Sequence, residues 1–199
     1  MKFFKENSYD IVRLLINQIG IAIFSLILYT AVGMVNLESG TKLGINIALS
    51  VFAILFYFSL LYTVAWDWGA KDKIRIDGGR MAPVRFKGLK MALFANIPNF
   101  ILAAICAFTF LIYFLSDNQA CYTISTLFNT IVRLFMSMYL GVLQGIFAAL
   151  KSNTDLYYLL QAFGYLIMPI FAILSTELGY AFGVKEKKIF GYTVKNKKQ

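Results

Sequence analysis

The chain is expected to be all-α: a polytopic α-helical membrane protein with four firm spans and a fifth long apolar helix of different character. Three observations carry this. Of its 199 residues, 59% are hydrophobic and only 15% charged, against about 25% charged in a soluble domain. Four apolar stretches each reach or exceed the roughly 20 residues that cross a bilayer. The basic residues gather in short segments beside those stretches instead of spreading over a surface. Nearly every position is needed for spans and short connections, so one membrane domain, 1–199, is the economical organisation.

The first span is expected at about 14–35, with Ser8 or Asp10 as its helix cap. The N-terminal MKFFKENSYD does not read as a cleavable signal, because the apolar stretch behind it runs far past the usual 7–15 residues. Residues 36–42, NLESGTK, form a polar turn. The second span, about 43–66, ends at Trp66 with Trp68 just beyond, where amphipathic rings favour the headgroup level. A basic loop, 67–90, carries seven Lys/Arg against three Asp. The third span, about 91–115, contains Pro98, which cannot donate to the carbonyl of Phe94 and frees an acceptor there. The last span, about 157–184, contains Pro169 and is followed by a basic tail, 185–199.

Residues 122–150 are apolar enough to be a fifth span, yet charge counting argues otherwise. With the N-terminus, the basic loop and the tail all cytoplasmic, 16 of the 19 Lys/Arg lie inside, leaving only Lys42, Arg133 and Lys151 outside. That count requires the segment not to cross. Its polar and small residues, Thr126, Asn129, Thr130, Arg133, Ser137, Gly141, Gln144, Gly145 and Ala148, recur every three or four positions. They make one stripe on an amphipathic helix, read here as interfacial or re-entrant with Arg133 toward water. As a full span it would carry Arg133 near mid-bilayer, at a cost of about 2.5–3.5 kcal/mol. An ordinary fifth span whose stripe faces its neighbours is the alternative.

The net charge of +9 does not point to nucleic acid. It lies in segments flanking apolar runs, where it meets anionic lipid headgroups at roughly 1 kcal/mol per Lys or Arg. The bilayer itself, with anionic headgroups at the loop and tail, is therefore the expected partner. The 67–90 loop is also the natural docking place for a cytosolic protein, although the EAA pattern of ABC permeases is absent. No cofactor or metal is expected. There is no histidine, which excludes Ser–His and Cys–His catalysis and His-ligated zinc or haem. Cys106 and Cys121 have no CxxC or metal spacing, and a disulfide between them is not expected. Asp77 and Gly78 resemble the first two residues of the CDP-alcohol phosphotransferase site, but the Ala-Arg and the later aspartates of that pattern are missing.

One polar set remains inside the spans. Asn17 and Gln18 lie early in span one, beside Arg13; Asn96 and Asn99 flank Pro98; Glu177 is the only acid well inside a span. All fall at similar depth on the cytoplasmic side. If a ligand or ion site exists, Asn17, Gln18, Asn96, Asn99 and Glu177 are expected to build it. Interhelical packing, with Glu177 paired to Arg13, is the plainer role. Small-residue pairs at Gly141/Gly145, Gly179/Gly183 and Ala103/Ala107 allow close helix approach.

The layout, with Gly179, Tyr180 and Gly183 preceding a lysine-rich tail, is similar to that of small polytopic proteins of Gram-positive bacteria. That similarity implies a multi-pass protein of a bacterial plasma membrane and implies no activity. An enzyme is not expected: rhomboid-like and CAAX-type proteases need histidine, and vitamin-K-reductase-like proteins need paired cysteines. The expected role is a non-enzymatic accessory, scaffold or immunity-type membrane protein. The alternative is a transporter subunit, substrate-binding or permease, with its polar site in the cytoplasmic third of the bilayer.

Overall fold

Among residues 2–150 and 152–187, which the computed structural model describes, every regular element is a helix. In chain order they are α1 (Lys2–Glu6), α2 (Ser8–Met34), α3 (Ser39–Asp77), α4 (Lys87–Ser116), α5 (Gln119–Phe135), α6 (Leu140–Ile146) and α7 (Thr154–Val184). Single 3-10 turns, Ser137–Tyr139 and Ala148–Leu150, flank α6. Helices α2, α3, α4 and α7 are each long and apolar enough to cross a membrane, and α5 with α6 would make a fifth if the bent pair counts as one span. The basic tail from residue 188 onward and Lys151 lie outside the described residues.

Helix α3 does not stop at Trp66. Its 39 residues continue to Asp77 and convert much of the expected basic loop into helix. Residues 67–77 contain no proline, and Lys73 and Asp77 pair at 2.6 Å one turn apart. The helix ends where Gly79 turns left-handed at φ 68, with the Arg80 N–H reaching back to the carbonyl of Arg75 at 2.9 Å. Only 78–86 remain as a loop. At the other boundary, α2 begins one residue after Asn7, not at a Ser8 or Asp10 cap. Asn7 gives its side-chain N–H to the carbonyl of Phe3 at 2.8 Å, which ties α1 to α2.

Two ends of the bundle can be told apart. At the basic end meet the start of α2, the end of α3, the start of α4 and the end of α7: Phe3 stacks on Phe94, Asp72 pairs with Lys87, and Trp66 donates to the carbonyl of Lys187. At the far end, Lys42 reaches the carbonyl of Gly33, Tyr113 meets Tyr122, and Phe110 meets Tyr158 of α7.

Helix α7 is the axle. Half of its apolar window is buried, against 33, 28 and 28% for α2, α3 and α4. It packs chiefly on α3 and α4. Against α3 the contact is backbone on backbone. A Cβ on Gly179 would lie 2.4 Å from the carbonyl oxygen of Tyr62, one on Gly183 2.2 Å from that of Trp66, and one on Gly69 2.3 Å from that of Tyr180. Only glycine allows this approach.

The 122–150 segment is not one helix. It breaks at Met136, and the two halves stand at 90°. No proline or glycine marks the break; tertiary bonds make it. Ser137 Oγ donates to the carbonyl of Ala22 on α2, and the Gly141 N–H donates to Ser50 Oγ on α3 at 2.8 Å. Residues 136–141 are all buried. Gly141 lies so close to α3 that a Cβ would be 2.1 Å from the carbonyl oxygen of Asn46. Gln144 then returns to Tyr29, near the far end, where α5 also starts.

The exterior of the long helices is apolar, and several polar side chains lie within the otherwise apolar core. Ile16, Ile27, Leu55, Phe108 and Ile167 are each more than half exposed, whereas Gln18, Ser50, Asn96, Asn99 and Gln161 are buried.

Candidate functional site

The residues singled out from the sequence fall into two groups. Gln18 of α2 and Asn96 and Asn99 of α4 come together in the interior. Asn99 Nδ2 donates to Gln18 Oε1 at 2.7 Å and to Asn96 Oδ1 at 3.0 Å, while Asn96 Nδ2 donates to the carbonyl of Ala92 at 2.9 Å. These amides answer one another, so the cluster holds α2 against α4 as an interhelical polar clasp, typically about 0.6 kcal/mol per bond in a membrane. Asn17 is half-buried and forms no hydrogen bond among the described residues.

Glu177 does not pair with Arg13. Its Oε2 accepts the N–H of Leu89 at 2.7 Å, in the first turn of α4. Asn96 is seven residues further along that helix, about 10 Å deeper at 1.5 Å per residue. Glu177 thus caps a helix start belonging to its neighbour, where one of four orphan N–H groups and the positive end of the helix dipole welcome a carboxylate. Replacing Glu177 by Leu should cost about 1 kcal/mol, a fall of roughly 2–4 °C in Tm for a chain this long. Glu177→Gln, which retains an acceptor, should stay close to the wild-type Tm in a thermal melt in mild detergent.

Beside that cap lies an ion cluster that the sequence presents as ordinary loop charge. Asp72 Oδ2 accepts from Lys87 Nζ at 2.7 Å and from the Tyr180 hydroxyl at 2.9 Å, and Arg75 approaches Oδ1 at 3.7 Å. Asp72 and Lys87 are 3% and 8% exposed, so this pair is held out of solvent. It joins α3, α4 and α7 at the basic end.

The far end is open instead of locked. A vestibule of about 500 Å³ lies between α2, α3, α6 and α7, with Tyr29, Lys42, Asn46, Gln144, Thr154 and Tyr158 on its walls. Tyr29 and Gln144 bond each other across it at 2.9 Å. Tyr29 and Asn46 also border a narrow cleft of only about 10 Å³, with Ser25, Ser50 and Ser137 around it. Here polar atoms are left over: Ser25 Oγ and Asn46 Oδ1 are buried without a hydrogen-bond partner among the described residues. A buried acceptor left unmatched costs about 1–3 kcal/mol. Nothing in the sequence distinguishes Ser25, Asn46 and Ser50, since serine and asparagine in apolar helices are common; only the fold gathers them around one cleft.

Behind Tyr158, a second and smaller cavity of about 140 Å³ contains Arg133. The guanidinium does not point into bulk water as expected for an interfacial helix. It is half-buried, donates to Gln161 Oε1 on α7 at 2.7 Å and lies 5.7 Å from the Tyr158 ring centre.

Both cysteines are free thiols, Cys106 buried and Cys121 partly exposed. Among the described residues no group of three or more Cys, Asp or Glu converges as a metal site. Comparison of the chain with protein-family models, curated proteins and solved structures finds no match to any of them.

Proposed function

We propose that the chain is a multi-pass protein of a bacterial plasma membrane that acts by binding and not by catalysis, admitting a small polar solute to the far-end vestibule. The single observation that carries the binding role is Asn46, which lines both the vestibule and the cleft beside it and whose Oδ1 has no hydrogen-bond partner among the described residues. The solute-binding subunit of a transporter is the class that fits, with its site at the opposite end from the cytoplasmic third, since the Gln18–Asn96–Asn99 cluster there is spent on itself.

The membrane reading is supported by the many large apolar side chains exposed along the four long helices. Positive-inside bias favours a cytoplasmic basic end, so the vestibule opens outward. The return of Gln144 to the far end favours four crossings, with α5 and α6 as a re-entrant pair. Its non-regular apex is tolerated because it is covered by protein. A second reading, an accessory scaffold, is favoured by the last turns of α3. They project with Lys71, Lys73 and Arg75 at the basic end, with Ile74 71% exposed, and are pinned by Asp72. Such a rigid cationic arm suits a cytosolic protein or the anionic inner leaflet.

The test combines labelling with native mass spectrometry. On a background without Cys106 and Cys121, single cysteines at Ser39, exposed at the vestibule, and Gly78 are offered an impermeant thiol reagent on intact cells. Only the first is expected to react. Gently purified wild-type protein is expected to retain a small molecule, and Asn46→Leu to reduce its occupancy about tenfold, the equivalent of 1.4 kcal/mol. Reaction of both cysteines from outside refutes the orientation. Equal occupancy in wild type and Asn46→Leu refutes the vestibule as the binding site.

A further inference from the structure

We infer that the Arg133 cavity and the open strip of α5 beside it form a binding site for one anionic phospholipid of the leaflet at the far end. This rests on the membrane reading above but not on the solute vestibule. Arg133 is a half-buried cation with no ion-paired carboxylate among the described residues; its strong partner, Gln161, is neutral and 1% exposed. Of the five guanidinium donors, one is spent on Gln161, and Nε is buried near the Tyr165 hydroxyl without a hydrogen bond of good geometry, which leaves the terminal N–H groups for a ligand. A cation in this state is incomplete. A phosphate, which accepts two parallel N–H bonds from one guanidinium, completes it.

The surroundings select an amphiphile over a bare ion. The Arg133 cavity has Asn129 as a polar companion and Tyr122 and Tyr158 as walls, and about 140 Å³ is room for a headgroup phosphate but not for a chain. Next to it lies an open, shallow strip of α5 with Leu127 exposed and Ile131 half-buried along it. The two share one ridge on α5: Tyr122, Thr126 and Thr130 line both. Thr126 and Thr130 turn their hydroxyl protons back to the carbonyls of Tyr122 and Thr126, at 2.9 and 3.0 Å. An acyl chain can therefore cross the ridge without meeting an unsatisfied donor.

Depth agrees. Helix α7, 31 residues long, measures about 46 Å at 1.5 Å per residue, roughly 8 Å beyond a 30 Å hydrocarbon core at each end. Tyr158 is four residues from its start and Gln161 seven, hence about 6 and 10 Å in. The cavity mouth lies at the hydrocarbon–headgroup boundary, where lipid phosphates are within reach of a snorkelling arginine. Three features thus coincide at one place: a cation without an ion-paired carboxylate, an adjoining open apolar strip of α5 and the right level.

The experiment uses the full chain in a neutral detergent, with native mass spectrometry reading one-to-one complexes after addition of phosphatidylglycerol, phosphatidylcholine, oleate or inorganic phosphate. Phosphatidylglycerol is expected to exceed phosphatidylcholine in occupancy about tenfold, and Arg133→Gln to erase that preference, a loss of the size of one charge-assisted hydrogen-bonded contact. Thr130→Trp, which fills the mouth and leaves Arg133 in place, is expected to lower occupancy to a similar extent and guards against a folding defect in the first variant. Equal binding of the two phospholipids, or a preference that survives Arg133→Gln, overturns the site. Saturation by inorganic phosphate alone makes it an anion site and overturns the lipid assignment, as does stronger binding of oleate. Purification of the chain without detergent would instead sink the membrane reading, an outcome separate from any lipid titration.

Discussion

Asp72→Leu is expected to destabilise the protein by about 3–5 kcal/mol, the cost of leaving a buried charge without its partner. Lys87 would remain 8% exposed with its ammonium facing the gap, and the Tyr180 hydroxyl would lose its acceptor. At roughly 2–4 °C per kcal/mol for a chain of this length, a thermal melt in detergent should show a fall of at least 6 °C. The double variant Asp72→Leu/Lys87→Met should recover most of it, because replacing both ions by apolar groups removes the desolvation cost together with the attraction. Failure of the second change to rescue the first would mean that Tyr180, not Lys87, is the partner that matters. The exposed pair Lys73–Asp77 supplies the contrast: neutralising Lys73 should change Tm by less than about 1 kcal/mol would.

Gly183→Leu is the second large effect. The new Cβ alone would lie 2.2 Å from the backbone oxygen of Trp66 and 3.0 Å from the backbone nitrogen of Ala70. Backbone cannot rotate away as a side chain does, so α7 must separate from α3 along its length. Overpacking costs typically 1–3 kcal/mol and sometimes more; with backbone as the obstacle, about 3 kcal/mol is expected. Gly33→Ala is the control, since a Cβ there meets nothing within 4 Å. It should leave Tm unchanged or raise it slightly, alanine being the better helix former. A melt in which the two variants behave alike would show that the α3–α7 contact is looser than its glycines require.

The four long apolar helices are legible in the sequence because span length is a property of each segment alone. What fails is whatever depends on a distant partner. Asp72 reads as one of three evenly spaced loop aspartates; its burial comes from Tyr180, 108 positions away. The continuation of α3 through 67–77 is hidden for the same reason, since charge patterning there suggests a solvated loop and only α4 and α7 reveal a packed face. Gln18, Asn96 and Asn99 are found at a shared depth, which their positions in the spans already suggest. Glu177 is different, because its partner is a backbone N–H, and matching side chains by charge points wrongly to Arg13. The break at Met136 has no local signature at all. A polar stripe of period three to four suits an unbroken helix, and Ala22 and Ser50 override it.

The 90° break also sets an order of assembly. The chain emerges from the ribosome N-terminus first, so α2 and α3 are in place before residues 136–141 appear. Ser137 and Gly141 then find the carbonyl of Ala22 and the hydroxyl of Ser50 already waiting. Arg133 has to wait longer. Its Gln161 lies on helix α7, 28 positions further on, so throughout synthesis of the intervening residues the guanidinium is without that partner. Completion of α7 therefore closes the Arg133–Gln161 bond last, after α2 and α3 already hold the break.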